Sequence, residues 1–194
     1  LLNRLKIDYV FSILDPVFFT EVYYKYTSVK KVFPTLTGYV CDEFINEMAI
    51  LSKPNASRSI DVGYRARSLP YYMGRGAQEK KAIADGFVSR SANTDLTLDI
   101  STKEDDRIYG GNWSRFVADC RFMLGAESGT SIFDLTGDVK KLVNLYLLSN
   151  PSATFEDVSN AVLSPYEEQI NYRAISPRIF ECAALRTCMI LFRG

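Results

Sequence analysis

Basic side chains collect in loops that follow runs of β-forming residues. Tyr64-Arg65-Ala66-Arg67 closes the run that starts at Ser59, Gly74-Arg75-Gly76 and Lys80-Lys81 come shortly after it, and Ser176-Pro177-Arg178 precedes the last apolar run. Arginine and lysine on converging loops are what a diphosphate requires. Charge-assisted hydrogen bonds contribute about 1.5 to 3 kcal/mol each, and the guanidinium fork matches phosphate oxygens. Arg67 and Lys80 are the leading candidates, with Ser176 and Arg178 beside them. The competing reading is solvated surface, which suits Arg65, Arg75 and Lys81 better.

Ser176-Pro177 has the marks of a helix start, an N-cap residue followed by proline at the first position. The free N–H groups and dipole of such a start, worth about half a positive charge, favour an anion. Arg178 and Glu181 stand at i and i+3 and share a face, with Ile179, Ala183 and Ala184 expected to turn inward. An ionised glutamate one turn into the helix can accept hydrogen bonds from two vicinal hydroxyls, as on a ribose. The rival role for Glu181 is an exposed ion pair with Arg178, worth only about 0.2 to 0.5 kcal/mol.

The loop Gly125-Ala126-Glu127-Ser128-Gly129-Thr130-Ser131 lacks the lysine of a P-loop and the spacing of a dinucleotide fingerprint. Its small residues permit close approach of a ligand or a tight turn, which places Glu127, Ser128 and Gly129 as a loop near the bound group. Glu127 and Asp134 are carboxylates near strand ends, each at least as well suited to a turn or cap. The chain has no histidine, so no general base is assigned. With four separated cysteines and no CxxC pair, a zinc site is not expected. Cys120, Cys182 and Cys188 lie among apolar neighbours and read as buried, reduced thiols, which points to the cytoplasm.

Elements that would position these residues follow from periodicity. Strands are expected at Ile7 to Leu14, Lys31 to Val40, Ser59 to Tyr64, Asp95 to Ile100, Cys120 to Leu124 and Cys188 to Phe192. Helices are expected in Pro16 to Tyr26, from Asp42 through Leu51, and over Ala77 to Ser91, Trp113 to Asp119, Asp138 to Ser149, Thr154 to Leu163 and after Ser176. Alternation of strands and helices predicts an α/β fold with a Rossmann-like, doubly wound parallel sheet, whose ligands bind beyond the carboxyl ends of the strands. Residues 1–57 read as the tail of one α/β domain and 58–194 as a second.

Lysine plus arginine and aspartate plus glutamate stand at 23 each, so no global field gathers nucleic acid. No apolar run approaches the roughly 20 residues needed to span a bilayer. The chain opens without methionine and stops at Gly194 directly after an apolar run, which gives the expectation of a partial chain.

The stretch Ser176-Pro177-Arg178-Ile179-Phe180-Glu181-Cys182-Ala183-Ala184 resembles the SPR-x-FE-x-AA segment of bacterial glycosyltransferases of the two-domain GT-B fold. Leu36-Thr37-Gly38-Tyr39-Val40, Gly63-Tyr64-Arg65-Ala66-Arg67, Asp106-Arg107-Ile108-Tyr109-Gly110 and Leu124-Gly125-Ala126-Glu127-Ser128-Gly129 also look like blocks of that family, in the same order. The resemblance implies that residues 58–194 are the donor-binding domain, truncated at its C-terminus, and that 1–57 belong to the acceptor side. It implies a nucleoside-diphosphate-sugar donor, a glycan or other hydroxyl acceptor, no cofactor and no required metal. Glu181 then maps to the ribose-binding glutamate, and Arg67 and Lys80 to the diphosphate. The full-length enzyme would work in the cytoplasm, with peripheral association at the inner face of the membrane as an option. Arg173 stands where many retaining members carry glutamate, and Leu185-Arg186-Thr187 replaces a glycine-containing turn; stereochemistry is therefore left open. The alternatives are a non-catalytic nucleotide-binding or assembly module of the same fold and, more weakly, a Rossmann oxidoreductase, which the absence of G-x-G-x-x-G disfavours.

Overall fold

The computed structural model describes residues 1–167 and 172–192. At the N-terminus, β1 (Tyr9–Ser12) and β2 (Lys31–Pro34) form a two-stranded parallel sheet, Tyr9 opposite Lys31. Between them the aromatic stretch folds as a 3-10 turn (Pro16–Phe18) and a π-helical turn (Thr20–Tyr24), started by Asp15, whose carboxylate accepts from the Val17 amide. Leu14, Phe19, Val22, Val29 and Val32 close a small core of their own. β2 is shorter than expected. It ends at Pro34, the Thr35 amide makes a last bond to the Ser12 carbonyl at 2.9 Å, and Leu36 to Val40 runs on as loop.

Next come α1 (Asp42–Leu51), β3 (Ile60–Arg65), α2 (Arg75–Arg90), β4 (Leu98–Ser101), α3 (Gly111–Asp119) and β5 (Cys120–Gly125). A short β6 (Ser128–Thr130) precedes α4 (Asp138–Ser149) and α5 (Phe155–Val158), which continues as a π-helical turn to Leu163. β7 (Tyr172–Ala174), α6 (Arg178–Ala184) and β8 (Cys188–Leu191) complete the order.

β3, β4, β5 and β8 make a four-stranded, all-parallel sheet in the order β4-β3-β5-β8. Val62, Tyr64 and Leu124 pack with Ile83 and Ala84 of α2 on one face. Met123 packs with Phe116 and Val117 of α3, Cys182 and Leu185 on the other, and Met48 of α1 joins that cluster. Helices therefore flank both faces, an α/β arrangement compatible with a Rossmann-like domain. Gly63 lets α3 approach this closely, because a Cβ there would run into the Cys120 sulfur and the Phe116 ring.

α4 and α5 depart from simple alternation. They enclose a satellite core of Ile132, Val139, Val143, Val158 and Leu163 instead of covering a strand, and the excursion is pinched at its base by the antiparallel pair β6–β7. No helix among the described residues is long and apolar enough to cross a membrane.

A buried arginine fixes the opposite end of the sheet from the carboxyl ends of its strands. Arg58, 3% exposed, donates to the carbonyls of Lys53 (3.0 Å), Cys120 (2.6 Å), Leu185 (3.0 Å) and Arg186 (3.3 Å) and to the Thr187 hydroxyl (2.7 Å). It ties the starts of β3 and β5 to the turn before β8. That turn holds Arg186 at φ 56°, the left-handed region in which glycine is at ease.

Candidate functional site

In the sheet, β4 and β5 lie on opposite sides of β3, so the chain reverses its winding direction there and leaves a crevice above the carboxyl ends of β3 and β5. Arg178 stands over that point. Its terminal nitrogens donate to the carbonyl of Leu124 at 3.3 Å and to that of Arg65, the next-to-last residue of β5 and the last of β3. Its guanidinium lies 4.9 Å from the Tyr64 ring centroid and 5.2 Å from that of Trp113, and its Nε is a buried donor without a partner among the described residues.

An open cleft of about 440 Å³ occupies the crevice. Arg67, Lys80, Ser176, Arg178 and Glu181 all line it, together with Arg65, Trp113 and the segment Arg107 to Gly110. Arg65 is spent on Asp99 (2.6 Å) and Arg107 on Glu104 (2.6 Å). Among the described residues no carboxylate pairs with Arg67, Lys80 or Arg178. Burial, and then the positive charges of Arg178 and Arg67, hold the Lys80 ammonium below the usual lysine range. A lysine whose charge is disfavoured by burial and by two neighbouring arginines is a site that an anion would relieve.

Glu181 lines the same cleft. Its Oε2 accepts the indole N–H of Trp113 at 2.7 Å, and the i,i+3 ion pair with Arg178 is not formed among the described residues. Arg178 is already committed to strand-end carbonyls, so it supplies charge and position more than free donors. Ser176 lines the cleft, but α6 begins at Arg178, its flanking residue is Pro177 and no side chain caps it. Ala183, expected to face inward, is exposed.

The loop candidates separate. Ser128 touches the cleft through Lys80, whose Nζ lies 3.5 Å from its hydroxyl. Gly129 pairs with Arg173 in β6–β7 and has the Tyr172 carbonyl 2.6 Å from where a Cβ would stand, so its smallness serves strand pairing. Glu127 lies outside the main cleft, paired with Arg173 at 3.2 Å on the rim of a neighbouring apolar hollow that shares Ser176 and Arg178. Asp134 accepts from the amides of Gly137 and Lys140, both at 2.9 Å, and so serves the start of α4. Arg75 and Lys81 are spent on Glu156 and Asp85. Among the described residues no cluster of histidine, cysteine, aspartate and glutamate could hold a metal.

Trp113 and Arg58 carried no signal in the sequence. Both depend on partners far along the chain, and nothing in a lone tryptophan or arginine names them. No family model, curated protein or solved structure matches the chain.

Proposed function

We infer that this chain binds a nucleoside-diphosphate sugar and forms the donor-side half of a glycosyltransferase, moving the sugar to a hydroxyl acceptor in glycan or surface polysaccharide synthesis. The observation that carries this reading is the pairing, in one cleft above the strand-order reversal, of the uncompensated cations Arg67, Lys80 and Arg178 with the carboxylate of Glu181. A dianionic diphosphate satisfies the first group. A vicinal diol satisfies the second, since a carboxylate only accepts and a hydroxyl pair only needs to donate. A nucleoside diphosphate has both groups a few ångströms apart.

In transfer, the bond from the sugar to the diphosphate breaks and negative charge builds on the leaving phosphate. Preorganised cations in the cleft stabilise that charge as it develops. Lys80 is suited to this, because its ammonium is crowded before the charge arrives and compensated afterwards. The sequence motif adds its own support, for Glu181 and Arg178 belong to the segment that resembles the GT-B family.

Thermal melting against a panel of nucleoside diphosphates and their sugars tests the proposal. A ligand at 100 times its dissociation constant should add about 2.7 kcal/mol. Stabilisation by inorganic pyrophosphate alone, with no gain from any nucleoside, would remove the donor reading. Release of nucleoside diphosphate from the stabilising donor when acceptor is supplied separates transfer from binding without chemistry.

A further inference from the structure

Five side chains beside the cleft form a continuous stack in which aromatic rings and guanidinium groups alternate, apart from one aromatic pair. Arg178 lies between Tyr64 and Trp113, Trp113 meets Phe116 with centroids 5.7 Å apart, and the Arg65 guanidinium covers Phe116 at 4.7 Å. Every member is anchored. Tyr64 is 1% exposed, Phe116 is buried, and Arg65 and Arg178 are held by backbone carbonyls of the sheet strands. Trp113 is the one member of this stack whose polar edge turns to the ligand-facing carboxylate, through the 2.7 Å bond to Glu181.

We propose that Trp113 is a positioning residue: its N–H fixes the Glu181 carboxylate for a ribose diol, which makes the site selective for ribonucleoside over 2′-deoxyribonucleoside diphosphates. This deepens the donor-binding reading and rests on it. A glutamate has three rotatable side-chain bonds and, on an open cleft, would otherwise distribute its carboxylate over many orientations. The indole holds one oxygen and so sets the plane of the group. A carboxylate has about four acceptor sites, and the indole takes one of them, which leaves capacity for two hydroxyls. A deoxy sugar leaves part of that oriented acceptor without a donor, and sites built to bond a hydroxyl discriminate strongly against analogues that lack it. The same ring, lying against Arg178, holds the cation at the diphosphate end, so both halves of the ligand are registered on one side chain.

The test uses calorimetric titration of the whole chain with two matched pairs, UDP with 2′-deoxy-UDP and GDP with 2′-deoxy-GDP, and with inorganic pyrophosphate. For the better-binding base, wild type should prefer the ribo form by roughly tenfold or more. Trp113→Phe keeps a ring on Arg178 but deletes the N–H. It should bring the preference to about threefold or less while leaving pyrophosphate affinity unchanged, because only the Glu181 end is loosened. Glu181→Ala should abolish the preference, and Trp113→Phe added to it should change nothing further, as required of a residue that acts through Glu181. A ring that merely fills space would lower the melting temperature and leave the ribo-to-deoxy ratio as in wild type, and that unchanged ratio overturns the inference alone. Binding of pyrophosphate with no ribonucleotide binding overturns the donor reading and the inference together.

Discussion

The Lys80 ammonium and the Ser128 hydroxyl stand 3.5 Å apart, and this long contact is the closest thing to a partner that Lys80 has among the described residues. Around it lie Arg67 and Arg178, both of the same sign. A lysine placed this way costs the empty protein stability and becomes favourable only when an anion arrives.

Lys80→Met is therefore expected to melt no lower than wild type at neutral pH without ligand, while losing on the order of tenfold in affinity for pyrophosphate or a nucleoside diphosphate. The pH dependence has a fixed sign. Because the folded-state pKa of Lys80 is lowered, the folded chain binds fewer protons in the window between that value and the ordinary lysine value of about 10.4. The cost is complete below the window and disappears as pH rises through it. The melting gap between Lys80→Met and wild type should be widest at neutral pH and close in alkaline buffer.

Arg58 makes the opposite prediction, large in stability and absent in binding. Arg58→Met removes the guanidinium bonds to four carbonyls and to the Thr187 hydroxyl, and should destabilise the chain by about 3 kcal/mol or more. Arg58→Lys should recover only part, since one ammonium cannot span the acceptors that a guanidinium fork reaches. Urea denaturation midpoints measure both.

At Arg186 a substitution should help. Its φ of 56° is strained for a residue with a Cβ, and Arg186→Gly relieves the strain at the expense of a more flexible unfolded chain. A net gain of about 0.5 to 1 kcal/mol is expected, read as a higher urea midpoint with an unchanged slope.

The cysteines divide in two. Burial first of all pushes the Cys120 and Cys182 thiols up to about 12, whereas Cys188 is exposed and Cys41 is partly so. Under native conditions a thiol reagent at neutral pH should label Cys188 and Cys41 quickly, and Cys120 and Cys182 only after unfolding. Cys188 sits in an apolar run, yet it begins the strand at one edge of the sheet. Composition reports burial poorly at such a place.

Much of the frame was legible because it is local. Asp42 to Leu51 and Asp138 to Ser149 appear as helices at the bounds that their apolar spacing predicts, and each strand of the parallel sheet lies within a residue or two of its run, except β4, which starts three later. What was not legible depends on distance along the chain. Ser128–Thr130 finds its partner in Tyr172–Ala174 across the whole α4–α5 excursion, and a three-residue strand has no period to betray it. Arg178 lines one cleft with Arg67, Lys80 and Glu181, but its hydrogen bonds go to strand carbonyls, and the sequence does not say which acceptor an arginine chooses. For Glu181 the sequence pointed to a ribose diol, with an ion pair to Arg178 as the rival role, and neither names a partner on another helix. Its partner is Trp113, an aromatic residue on another helix.

Glu181 carries the central claim, and calorimetric titration of wild type and Glu181→Ala with the ribonucleoside diphosphate that stabilises the chain best tests it most directly. The expected result is a loss of affinity of roughly ten- to a hundredfold, equivalent to about 1.5 to 3 kcal/mol of charge-assisted bonding, with pyrophosphate affinity and melting temperature close to wild type. Unchanged nucleotide affinity together with a lowered melting temperature would contradict the claim, and would make the carboxylate a structural anchor for the Trp113 indole.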